Sequence, residues 1–157
     1  MSRLSSGLAN EAATIDERLV NLPTGTQTLD PAKHANRILT IAGGAVPTTI
    51  NLPKTKGSGD VYKFLLLAAQ TSGSIVINAT HDGTSNKFVG TVFQQGSANL
   101  MTKFSSTAND IFTLNGTTQG AVAAGDYLEI IDSAVGTWRI VVGLLTTSGA
   151  QATPFSG

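Results

Sequence analysis

His34 and His81 are the side chains whose ordinary pKa lies nearest neutrality, so acid or base catalysis at pH 7 would fall first to them. His81 precedes Asp82, but successive strand residues face opposite sides, and this pair runs into the turn His81-Asp82-Gly83-Thr84-Ser85-Asn86. Both histidines read as polar residues near turns rather than as bases. No serine stands in a Gly-x-Ser-x-Gly context, and Gly57-Ser58-Gly59-Asp60 lacks the trailing glycine and helix of a dinucleotide loop. Cysteine is absent, which removes thiolate catalysis, thiolate metal sites and disulfides together. Asp82, Thr84 and Asn86 alternate as oxygen donors in a weak echo of a calcium loop. The closing bidentate acid is missing, so no metal site is expected. Asp126 and Glu129 differ by an odd step, so they diverge rather than forming an acid/base pair, and with Asp132 they are expected to be solvated edge or turn residues. Trp138, the one tryptophan, opens a strongly apolar run and is expected in the core or at a subunit boundary. The expectation is a chain that is not an enzyme and holds no cofactor.

The elements that position these residues follow from composition. The chain has 157 residues, enough for one hydrophobic core and a short appendage. Its formal net charge is zero and only 13% of residues are charged, about half the usual share of about 25%, so phosphate-driven nucleic-acid binding is excluded. Its polar side chains are instead largely hydroxyl, with 21 Thr and 13 Ser beside 17 Gly. Thr, Val and Ile favour strands while Gly, Asn, Asp and Ser supply turns, so the composition reads as all-β. The longest apolar run, Phe64-Leu65-Leu66-Leu67-Ala68-Ala69, is far short of a membrane span. Without a signal pattern at its start, the chain is expected to be soluble and made in a cytoplasm.

Residues 1–30 differ from the rest. Leu8, Ala12, Ile15 and Leu19 recur at spacings of four, three and four, one face of a short helix, followed by the polar segment Pro23-Thr24-Gly25-Thr26-Gln27-Thr28. This reads as an N-terminal arm whose Leu8, Ile15 and Leu19 make an interface contact. Residues 31–157 read as an antiparallel β-sandwich or barrel of about eight short strands. The candidate strands are residues 37–42, 48–52, 61–68, 74–79, 87–93, 111–114, 127–132 and 137–145. Asn115-Gly116 is the strongest hairpin signal, since both residues tolerate positive φ. No repeat of fixed period appears, which argues against a solenoid. Leu65-Leu66-Leu67, Ile75-Val76-Ile77 and Ile140-Val141-Val142 are apolar at successive positions, so something must cover their second face.

Gly125-Asp126-Tyr127-Leu128-Glu129-Ile130-Ile131-Asp132 followed by Thr137-Trp138-Arg139-Ile140-Val141-Val142-Gly143 resembles the C-terminal hairpin of small structural proteins of tailed bacteriophages, especially head decoration (cement) proteins and fibres. Gly57-Ser58-Gly59-Asp60-Val61-Tyr62-Lys63-Phe64 and Ala152-Thr153-Pro154-Phe155-Ser156 are similar to the same kind of protein. The resemblance spans most of residues 37–157. It implies a β-sandwich or barrel, a homotrimer on the capsid surface of a virion, bound to the major capsid protein and bridging capsomers; the charge balance and the short apolar runs add the expectation of no nucleic-acid or membrane partner. The alternatives are a phage fibre or receptor-binding tip domain and a carbohydrate-binding module.

Overall fold

A computed structural model describes residues 18–80, 83 and 85–157. The chain is an all-β sandwich of a seven-stranded and a five-stranded sheet, with twelve strands among the described residues. They are β1 (Leu19–Leu22), β2 (Gly25–Thr28), β3 (Arg37–Ile41), β4 (Thr48–Asn51), β5 (Val61–Leu66) and β6 (Ile75–Asn78). Then come β7 (Lys87–Gln95), β8 (Met101–Asn109), β9 (Ile111–Leu114), β10 (Tyr127–Ala134), β11 (Thr137–Thr146) and β12 (Phe155–Ser156). A single turn of helix, α1 (Pro31–His34), is capped by Asp30, whose carboxylate accepts the Ala32 amide at 3.0 Å.

The larger sheet runs β1-β3-β5-β10-β11-β7-β8 and the smaller β12-β9-β6-β4-β2. The first six strands alternate between the sheets, and each pairs in parallel with the strand one turn earlier, as Leu19 beside Ile38 and Ile38 beside Lys63 show. Parallel pairing is forced because every turn of such a winding travels the same way. The rest is mainly antiparallel, with one further parallel pair where β11 slots between β10 and β7. The sheets are therefore mixed rather than antiparallel. The turns of the winding are unequal in length, so this coil leaves no fixed period in the sequence.

Strand alternation builds the core. In β5, β6, β9 and β10 every second residue is buried, so Tyr62, Phe64, Ile75, Ile77, Phe112 and Ile130 all point between the sheets. Edge-on ring contacts fix the packing: Phe112 meets Phe88 at 6.3 Å and Phe155 at 5.4 Å, and Tyr62 meets Trp138 at 5.4 Å.

Three expectations need correction. Leu19 lies on β1 rather than on a helix, and residues 19–28 supply an edge strand to each sheet instead of a free arm. Leu8 and Ile15 lie outside the described residues. Asn115-Gly116 is not a hairpin, since β9 and β10 belong to different sheets. The Asn115 side-chain carbonyl instead accepts the amides of Thr117, Thr118 and Gln119 at 2.9 to 3.0 Å, organising a wider crossing loop.

Candidate binding face of the seven-stranded sheet

The outer surfaces of the two sheets differ in kind. On the five-stranded sheet the register aligns Thr26, Thr49, Val76 and Thr113 in one row and Thr28, Asn51, Asn78 and Ile111 in the next. Hydroxyls and amides dominate it, as suits a wet face. On the seven-stranded sheet the matching row is Leu65, Tyr127, Leu144, Phe93 and Lys103 across β5, β10, β11, β7 and β8. A second row carries Leu19, Ile38, Lys63, Glu129 and Val142, and a third Val61, Ile131, Arg139 and Val89. This is an apolar field with charges set into it.

Several of its members are open to solvent. Leu144 is 51% exposed, Phe93 42% and Met101 58%. These three wall a shallow concavity of about 270 Å³ with Gln95, Ala124 and Thr146. The extra residue that β11 carries between Arg139 and Leu144 adds Val141, itself 52% exposed. The charges of these three rows are Lys63, Arg139 and Lys103 against the carboxylate of Glu129, while Lys87, outward on β7, is paired with Asp110 at 3.0 Å. Glu129 is partly occupied, because the Tyr127 hydroxyl donates to it at 2.7 Å. Partial burial, reinforced by this carboxylate, pushes the Tyr127 phenol well above its ordinary range, so it remains a donor.

Two buried carboxylates hold the loops around this sheet. The Asp126 carboxylate accepts the Ala121 amide at 2.7 Å, the Thr146 amide at 3.0 Å and the Thr146 hydroxyl at 2.7 Å, joining the β9–β10 loop to the end of β11. Burial nonetheless raises its pKa, outweighing these donors. Asp132 accepts the amides of Lys56, Gly57 and Ser58 at 2.8 to 3.2 Å and the Ser58 hydroxyl at 2.8 Å. Its burial would raise the pKa, but these donors together outweigh it and hold Asp132 below the usual range. Neither is a solvated edge residue. Asp132 shares strand parity with the buried Leu128 and Ile130, which is the signal that it turns inward.

The remaining candidates sit elsewhere. Trp138 is only 1% exposed and points inward beneath a cavity of about 350 Å³ bounded by Pro31, Pro53, Lys54, Lys56 and Asp60. It is a core residue and offers no interface surface. Its indole N–H and the Tyr62 hydroxyl are buried and hydrogen-bond no protein group. His34 caps α1 by accepting the Asp30 amide on Nδ1 at 2.9 Å. Asn86, from the calcium-like turn, accepts the Thr55 hydroxyl at 2.8 Å and donates to the Ala79 carbonyl at 2.9 Å. His81, Asp82 and Thr84 lie outside the described residues. Among the described residues, no three His, Cys, Asp or Glu side chains gather where they could hold a metal ion, and no helix is long and apolar enough to cross a membrane.

Comparison with protein-family models, curated proteins and solved structures returned no match.

Proposed function

We propose that this chain is a virion structural protein that decorates the outer surface of a phage head, docking through the outer face of the seven-stranded sheet. The observation that carries this reading is the contrast between that face, with Leu144, Phe93 and Val141 in solvent, and the hydroxyl-covered face opposite. A monomer rarely leaves so contiguous an apolar field open, whereas a protein that adheres to a lattice requires one. The mechanism is additive. Each copy, in a trimer, buries apolar surface across neighbouring capsomers, so opening the shell must break many contacts at once. The resemblance of residues 125–143 to head decoration proteins points the same way.

The test is attachment to phage heads that lack the protein. Wild-type chain is expected to bind in hundreds of copies per head, visible as added density at fixed lattice positions, and to raise the temperature at which heads open. Leu144→Asp is expected to weaken attachment at least tenfold while leaving the fold intact, because the side chain is half exposed. A few copies confined to the tail would replace this reading with that of a fibre domain.

A further inference from the structure

Two polar groups inside the sandwich lack partners. Tyr62 is fully buried and Trp138 nearly so, yet the phenol hydroxyl and the indole N–H hydrogen-bond no group among the described residues. A buried donor without an acceptor is costly, so native folds rarely keep one without a reason. Both side chains line the cavity of about 350 Å³, a volume within the roughly 300 to 1,000 Å³ of small-molecule pockets. Its other walls carry Pro31 and Pro53, which are apolar, Lys54 and Lys56, which donate, and Asp60, which accepts. We propose that this cavity is a binding site for an uncharged polyhydroxyl ligand, a mono- or disaccharide, whose hydroxyl oxygens accept from Tyr62 and Trp138.

The chemistry of the walls selects this class. A wholly apolar ligand would leave both donors as they are. A carboxylate or phosphate would face Asp60 and Asp132, and an ammonium would face Lys54 and Lys56 together with the two donors. A sugar hydroxyl both donates and accepts, so it suits a wall of mixed sign, while the C–H face of a pyranose suits the prolines. Burial first, then the carboxylates of Asp60, Asp132 and Asp30, holds the Tyr62 phenol well above its ordinary range, so it stays a donor. Asp132 is already saturated by its loop amides and the Ser58 hydroxyl. The Asp60 carboxylate accepts the Ser58 hydroxyl at 2.9 Å on one oxygen and keeps the other for a ligand hydroxyl. None of these residues belongs to the outer face of the seven-stranded sheet, so the sugar site and the docking face are tested apart.

Trp138 is the one tryptophan of the chain, so its indole N–H gives a single, assignable resonance at the cavity itself. In nitrogen-labelled full-length protein, titration with glucose, galactose, mannose, N-acetylglucosamine and their disaccharides is expected to move that resonance saturably for at least one sugar. The amides of residues 54–60 should move with it, and those of Thr49 and Thr113 on the outer face of the five-stranded sheet should not. Tyr62→Phe removes one donor at nearly constant volume. It is expected to weaken that sugar at least fivefold while melting no earlier than wild type, since the deleted hydroxyl has no partner in the fold. Asp60→Ala repeats the comparison at the cavity wall should Tyr62→Phe fold poorly. Acetate and methylammonium serve as charged probes. No response to any sugar, a response that never saturates, tighter binding of either charged probe, or unchanged affinity in the folded variant would overturn the inference and leave the two donors to water.

Discussion

Asp132 shows how much one inward carboxylate can organise. Three consecutive amides of the β4–β5 loop converge on it, so Asp132→Ala leaves buried donors without a partner and is expected to cost about 3 kcal/mol. Urea unfolding with an unchanged slope and an earlier midpoint is the expected record. The pH dependence has a definite sign. A carboxylate held low in the fold stabilises above its unfolded pKa, about 3.9, and that contribution fades as pH falls through the lower folded value. Asp110 is likewise held low by its hydrogen bond to Lys87 at 3.0 Å, so both groups promote acid unfolding. Asp132→Asn should flatten that acid limb when melting temperature is followed from pH 6 to pH 2. Sequence reasoning makes Asp132 a solvated edge or turn residue; its strand parity with Leu128 and Ile130 is the signal passed over, and its partners come from a loop more than seventy positions earlier, beyond any local pattern. Trp138 was legible as an anchor because it opens an apolar strand, and its near-complete burial predicts a loss of about 3 to 5 kcal/mol in Trp138→Ala.

Among the elements, each of the eight strands read from residue 37 onward has a counterpart within a few residues, because β-branched runs bounded by Gly, Pro and Asn specify both type and limits. The strands that escaped notice did so for separate reasons. β8, Met101-Thr102-Lys103-Phe104-Ser105-Ser106-Thr107-Ala108-Asn109, is an edge strand whose side chains are mostly exposed, so it needs little apolar content. β1 begins at Leu19, which the sequence reads into a helical spacing, β2 (Gly25-Thr26-Gln27-Thr28) carries no apolar side chain, and β12 is two residues long. Their placement changes what truncation should do. Removing residues 1–17 deletes no described strand, whereas removing residues 1–30 also strips the buried Leu22 and Leu29 and an edge of each sheet. Burial of those two leucines is worth about 3 to 6 kcal/mol, so the longer truncation should melt earlier or aggregate, and the shorter should melt near wild type. At the β9–β10 crossing, Gly116 has φ 72° and an added Cβ would fall 1.9 Å from the Gln70 carbonyl oxygen, so Gly116→Ala should lower the melting temperature by several degrees.

For the whole molecule, the sandwich was legible in the hydroxyl-rich, strand-forming composition, and successive apolar residues in Leu65-Leu66-Leu67 and Ile140-Val141-Val142 already signalled a second face in need of cover. The direction of strand pairing was not, because parallel and antiparallel neighbours use the same residue types and only the path between sheets distinguishes them. Nor was the sorting of charge, since a zero total is silent about where its parts lie. That sorting makes the docking face sensitive to ionic strength: attachment to heads should weaken as salt rises from 50 to 500 mM if Lys63, Lys103 and Arg139 face carboxylates across the contact, and a triple Gln replacement should remove the dependence.

The position of β11 carries a consequence for synthesis. Of the long strands of this sandwich it leaves the ribosome last, yet it is the one that joins the β1-β3-β5-β10 block to the β7-β8 pair. Until Thr146 has cleared the exit tunnel, a growing polypeptide holds two half-sheets with no hydrogen-bonded bridge between them. Nascent chains stalled before residue 137 should be cut readily by added protease, and those released past residue 146 should resist it.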